Sequence, residues 1–143
     1  MKHSNNHAHT ILGTVVPEDQ RLNFLPRHFG THMMLVERQV YHHFANLCPQ
    51  YQGGYWHFYE LSNGGCYLAP DRDRCTLSHA GNSVDTTVSG DAAGIIATLY
   101  TFSHLAFHFE HDPYGERLST HFDLLRAYAS QHAEAGLIYR VID

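Results

Sequence analysis

The residues best spaced for chemistry are three histidines, His104, His108 and His111, four and three positions apart. On one helix face such imidazoles could hold zinc or nickel, with Asp112 next in line. The segment lacks the glutamate of an H-E-x-x-H motif, so no general base is built in. The chain holds 14 histidines, and in so His-rich a chain a cluster this loose is more readily a solvated or partly packed polar helix face. His7 and His9 in the N-terminal segment, and the adjacent His42 and His43, are weaker metal candidates. Adjacent helical residues point about 100° apart. Nucleophilic catalysis has little to stand on. Ser62, Ser78 and Cys66 belong to no nucleophile elbow and no triad order. A phosphate loop needs a Gly-Lys-Ser/Thr step, yet the one lysine is Lys2. The residue types point away from an enzyme.

A different chemistry is concentrated at positions 55–59, where Tyr55, Trp56, His57, Phe58 and Tyr59 are five consecutive ring residues. In a strand alternate side chains face opposite sides. Trp56 and Phe58 can then enter the core while Tyr55, His57 and Tyr59 face the other way, or the reverse. An accessible set of such rings has the composition of a protein–protein hot spot. Arg27 and His28 follow Pro26 in a stiff surface segment. Glu60 is either a solvated strand charge or the partner of an arginine. Asn63 sits in the turn beyond it, and Asp143 adds its side chain to a terminal carboxylate beside Tyr139 and Arg140. These residues, Arg27, His28, Tyr55, His57, Tyr59, Glu60, Asn63 and Asp143, are the candidate partner-binding set.

Charge excludes two functions. The chain carries 14 acidic and 9 basic residues, a formal net charge of -5. Affinity for nucleic acid comes mainly from cations neutralising phosphates, so strong direct DNA binding is not expected. Duplex DNA itself carries about one negative charge per ~1.7 Å of axis. The acids here are dispersed and several sit beside arginines, as in Asp71-Arg72-Asp73-Arg74, so the chain is a poor DNA mimic too. No apolar run approaches the ~20 residues of a membrane span, and the N-terminus lacks the apolar region of a secretory signal. Three cysteines, Cys48, Cys66 and Cys75, form no C-x-x-C pair and read as free thiols in a reducing cytoplasm. Cys66 and Cys75 could lie on neighbouring strands.

The elements that must position these residues are legible. Residues 1–14 read as a flexible tail and 15–143 as one domain. Phe24-Leu25-Pro26 reads as extended, because a residue before proline is pushed out of the helical region. Thr31 is a candidate N-cap for a helix to about Leu47, with Met33, Val36, Val40, Phe44 and Leu47 inward. Four short strands follow, at about 55–61, 66–70, 74–78 and 83–88. Their short connections imply one antiparallel meander. Ser89 or Asp91 caps a second helix with a stripe of Ala92, Ile95, Ile96, Leu99, Phe102, Ala106 and Phe109. Asp112-Pro113-Tyr114-Gly115 ends it. A third helix spans about 117–131 with Leu118, Phe122, Leu125 and Ala129 inward, and a short fourth about 134–141. The class is α+β.

One segment is more specific than all of this. FYELSNGGCYLAP at 58–70 is a β-hairpin whose turn, Ser62-Asn63-Gly64-Gly65, tolerates positive φ. Its residue order closely resembles that of the ArdB/KlcA family of antirestriction proteins, carried by bacterial plasmids and other mobile elements. RLNFLPRHFGTHMMLVE at 21–37, Gly53-Gly54-Tyr55-Trp56, SGDAAGIIATLY at 89–100 and the C-terminal Ile138-Tyr139-Arg140-Val141-Ile142-Asp143 are similar to family segments. The resemblance covers roughly residues 20–143. It implies an inhibitor of type I restriction–modification enzymes, with that enzyme complex as partner and no cofactor. It leaves the oligomeric state open.

Overall fold

The computed structural model describes residues 10–78 and 85–143. His7 and His9, and the start of the strand expected at 83–88, lie outside them. In chain order the described elements are β1 (Gly13–Val15), a 3-10 turn (Glu18–Gln20), α1 (Arg21–Phe29), a second 3-10 turn (Gly30–His32) and α2 (Met33–Leu47). Then come β2 (Trp56–Leu61), β3 (Cys66–Pro70), β4 (Arg74–Leu77), β5 (Thr86–Ser89), α3 (Gly90–His108), α4 (Pro113–Ala129) and α5 (Ala135–Ile142). The class is α+β, as the sequence indicates.

The four expected strands exist, but they form two sheets instead of one meander. The first has the order β1-β2-β3 and the second pairs β4 with β5, all antiparallel. Cys66 and Cys75 are therefore on strands of different sheets, and both are buried free thiols, as is Cys48. The reason for the split lies in α3. A Cβ on Gly94 would stand 2.4 Å from Ala69 Cα and from Leu68 O, so only glycine lets α3 lie this close to β3. One turn later the Thr98 hydroxyl accepts a hydrogen bond from Leu68 N at 3.3 Å and donates to Gly94 O at 2.8 Å. A helix thus covers the edge of β3, one of the ways a sheet edge is closed to further pairing. No place remains there for β4.

On the other side, Gly13, Thr14 and Val15 pair with Leu61, Glu60 and Tyr59 of β2. Gln131 accepts from Ile11 N and donates to Ile11 O. Residues 11–14, expected to belong to a flexible tail, are therefore tied into the fold. The pattern around Ser62-Asn63-Gly64-Gly65 is a hairpin as expected, with Gly64 at φ 95°.

Helix α3 is central. Its buried residues include Ala93, Ala97, Thr98 and Thr101 as well as Ala92, Ile95, Ile96, Leu99 and Phe102 of the expected stripe, the pattern of a helix packed on most sides. Of the same stripe, Ala106 is only partly buried and Phe109 lies past the helix end. Ser89 caps it, accepting from Ala92 N at 3.0 Å. Helix α4 begins four residues earlier than expected, at Pro113. Asp112 accepts from Tyr114 N at 2.8 Å and proline occupies the first turn, where its missing N–H costs nothing. Its inward positions are Leu118, His121, Leu125 and Ala129, with Phe122 only partly buried. His121 takes an inward place that composition had given to Phe122.

Two local expectations fail. Phe24-Leu25-Pro26 is helical, within α1. Burial of Phe24, His28 and Phe29 on one helical face outweighs the local preference imposed by Pro26. Thr31 is not an N-cap either; it lies in the second 3-10 turn, and α2 starts after His32 without a side-chain cap.

Candidate partner-binding face

Helix α1 and strand β2 meet in step. Residues i and i+4 of a helix are about 6 Å apart along its axis, and residues i and i+2 of a strand about 6.6 Å. Phe24 stacks on Phe58, ring centroids 4.8 Å apart. One repeat further, His28 meets Glu60, with Nε2 2.8 Å from Oε1. Arg27 pairs with the other Glu60 oxygen. Three of the candidate residues, Arg27, His28 and Glu60, are thus one junction. Glu60 is the partner of an arginine, not a solvated charge.

Burial, helped by His121, Arg27 and Arg117 nearby, pushes His28 down from its ordinary value to about 4. At neutral pH the contact with Glu60 is then a hydrogen bond from a neutral imidazole. Because a carboxylate only accepts, Nε2 carries the proton and the other ring nitrogen the lone pair.

Beside this junction the surface is concave. A cavity of about 310 Å³ is lined by Arg21, Leu22, Leu25, Pro26, Met33, Glu37 and Phe58. Leu22 is 91% exposed on its rim. The Arg21 guanidinium stands 4.1 Å from the Phe58 ring and 4.6 Å from the Tyr55 ring. Tyr55, 47% exposed, donates to Glu18 at 3.1 Å. Arginine and aromatic groups around an apolar groove are the groups that dominate binding energy at interfaces.

The alternation expected in β2 is present within the strand: Trp56 and Phe58 are buried, and His57 and Tyr59 are partly exposed on the other side, while Tyr55 precedes the strand. That other side is only partly free. Tyr59 stacks on Tyr67 at 4.6 Å, and Tyr67 on Tyr128 of α4 at 5.8 Å. The Tyr67 hydroxyl donates to Asp91 at 2.7 Å. His57 remains half-exposed, 3.1 Å from Asp71. Trp56 belongs to no exposed patch; it donates to the Tyr51 hydroxyl at 2.9 Å.

The last two candidates are elsewhere. Asn63 accepts from Gly65 N and donates to Leu124 O at 3.0 Å, tying the hairpin turn to α4. Asp143 accepts from Arg126 at 3.2 and 3.3 Å. Both hold the fold together locally.

The histidine cluster does not assemble. Helix α3 ends at His108, and His111 lies beyond it with φ 70°. Among the described residues, His104, His108 and His111 do not gather into a ligand group. A different group does: one ligand atom each from His28, Cys66 and His121 lie within 4.8 Å of one another, all buried. Neither His121 nor Cys66 was read from sequence as part of any site. The available signals were the helical spacing 118, 121, 125, 129 and the alternation that puts Cys66 opposite Glu60.

The comparisons with known proteins decide the family. Residues 49–143 match the family model described as antirestriction protein. Over 141 residues the chain is 41% identical to the antirestriction protein KlcA of Escherichia coli, covering 97% of this chain and 99% of that one. A second Escherichia coli KlcA is 43% identical over 137 residues, covering 93% and 94%. This chain belongs to the antirestriction protein family.

A solved structure from work on KlcA and ArdB agrees with a TM-score of 0.85 at 42% identity, covering 93% of this chain and 95% of that one. That work describes a novel fold, with antirestriction activity against type I DNA restriction systems in vivo but not in vitro. The α1 side of the groove lies N-terminal to the span of the family model and Phe58 within it, and 97% of the chain is covered by the first KlcA relative.

Proposed function

We propose that this chain is an antirestriction protein that protects incoming mobile-element DNA by contacting type I restriction–modification enzymes, without imitating DNA. It is an inhibitor and not an enzyme, and it works in the cytoplasm beside its target. The observation that carries the reading is the near full-length match to a structure with that activity in vivo.

Contact with protein instead of DNA rests on charge and on the groove. Three arginines that could meet phosphates already have partners: Arg27 in Glu60, Arg126 in Asp143, and Arg21 in two rings. The acids are dispersed among such pairs and form no duplex-like array. The Arg21–Leu22–Tyr55 groove is the docking surface we assign, with the Arg27–Glu60 junction beside it. A consequence is that translocation or cleavage is blocked while methylation continues.

Restriction of unmodified phage in cells carrying a type I system tests this, with and without the gene expressed. Relief for DNA bearing target sites, and no change for DNA lacking them, is the expected result. The double substitution Arg21→Ala, Leu22→Asp should abolish relief at unchanged protein level, since both side chains face solvent or lie on the rim. Full relief by that variant would move the docking surface elsewhere. Loss of host methylation in expressing cells would overturn the proposed blocked step.

A further inference from the structure

We propose that His28, Cys66 and His121 form a buried binding site for a divalent metal ion of the zinc class. This is independent of the antirestriction reading. Three elements converge to build it: α1 brings His28, β3 brings Cys66, and α4 brings His121. One donor atom from each lies within 4.8 Å of the others, so a contraction of about an ångström would bring them to the spacing that a tetrahedral ion with bonds of about 2.0–2.3 Å requires.

The packing around the ligands is largely aromatic, with Glu60, Arg27 and Arg117 the charged groups nearby. The His121 ring packs against Phe29 at 5.3 Å and Phe102 at 5.4 Å, and His28 against Phe24 at 4.9 Å. His121 is 7% exposed, and its Nδ1 is buried without a hydrogen-bond partner. A buried polar atom left unpaired is costly, and such atoms in native proteins call for a specific explanation, an ion among them. A metal ion would supply the missing partner.

The donor set is chemically apt. Thiolate plus imidazole suits zinc, and three protein ligands leave a fourth position for water. Both imidazoles are held neutral by burial, which is the ligating form. Burial pushes the Cys66 thiol up, so ligation forms the metal–sulfur bond and releases the thiol proton to solvent. Glu60 accepts from His28 Nε2 at 2.8 Å, the carboxylate–histidine arrangement that orients metal-binding imidazoles. Cys66 lies directly opposite Glu60 in the ladder, so the orienting carboxylate and the sulfur share one face of the sheet.

Cobalt(II) is the probe, because a thiolate ligand gives it a charge-transfer band in the near ultraviolet. The full chain, stripped by chelator under reducing conditions, should take up one equivalent and show that band. Zinc should displace the cobalt and raise the melting temperature. Cys66→Ser should abolish the band, while the Cys48→Ala, Cys75→Ala double variant and the His104→Ala, His108→Ala, His111→Ala triple variant keep it. Glu60→Gln should weaken binding by about 10–100-fold. Absence of the band in the unsubstituted chain, its survival in Cys66→Ser, or its loss with Cys48 and Cys75 would each overturn the site. The first and third of these outcomes hold even if Cys66→Ser does not fold.

Discussion

At the scale of single residues, the sharpest demands on this chain are steric. Gly94 and Gly136 are both helical glycines, and their surroundings are opposite. A Cβ at Gly94 meets backbone atoms of β3 at 2.4 Å, whereas one at Gly136 meets nothing within 4 Å. Gly94→Ala should therefore destabilise by about 1–3 kcal/mol or more, because backbone atoms of a buried strand cannot move aside. Gly136→Ala should instead stabilise by up to about 1 kcal/mol, the helix preference of alanine over glycine. Urea denaturation of both variants reads the two signs. A Gly94→Ala variant as stable as the parent would mean that α3 does not cover the β3 edge as described. The sequence suggested one of these outcomes and hid the other. Gly136 reads directly as an interruption of a helix. Gly94 reads only as part of a small-residue helix start, because its constraint comes from a strand 25 residues earlier.

Among elements, α1 is where local rule and tertiary structure conflict most. Pro26 is inside the helix, where it cannot donate to the carbonyl of Leu22, and Leu22 is 91% exposed. Water can satisfy that carbonyl, so the helix survives. By local preference the same proline favours extended backbone at Phe24-Leu25-Pro26, the opposite of the helix found. Nothing within α1 announces that Phe24 will stack on Phe58, more than thirty residues away. Pro26 also lines the groove with Leu22 and Leu25. A residue that breaks a local rule at a candidate binding surface is expected to be there for the surface. Pro26→Ala should recover about 3 kcal/mol of helix preference, less up to about 1 kcal/mol from a freer unfolded chain. The net gain is on the order of 2 kcal/mol, read by denaturation, together with weaker relief of restriction in cells. Greater stability with undiminished activity would show that the proline serves packing alone. The strands illustrate the same division: their positions followed from alternation and turn residues, but their grouping into two sheets depended on which edge α3 occupies.

Across the whole molecule, the candidate site divides in the same way between local and distant information. Tyr55, Glu60 and Arg27 were visible as residue types in strands and stiff segments, whereas Arg21 and Leu22 become a groove only when α1 lies against β2. The 14 histidines have a collective effect that no fold is needed to foresee. With the histidines neutral the net charge is -5 and the isoelectric point about 6.2. As pH falls through the histidine range the net charge passes through zero, and solubility should be lowest near there. Stability should fall over the same interval, and His43 gives the sign. Its Nε2 is buried without a hydrogen-bond partner, its ring lies 5.6 Å from that of His104 and 6.0 Å from that of Tyr100, and burial, then His104 and His42, depress its pKa. The unfolded chain then binds a proton at about pH 6.5, before the folded chain does. Stability is therefore unaffected well above that value and is lost as pH drops from it toward the depressed folded value. Urea denaturation at about pH 7.5 and about pH 5.5, on either side of the unfolded value, should show a lower midpoint at the acid end. His43→Phe should make that difference smaller, because one of the groups that must take up a proton on unfolding has been removed. An unchanged difference would mean that His43 is accessible to water and that its orphaned nitrogen is solvated.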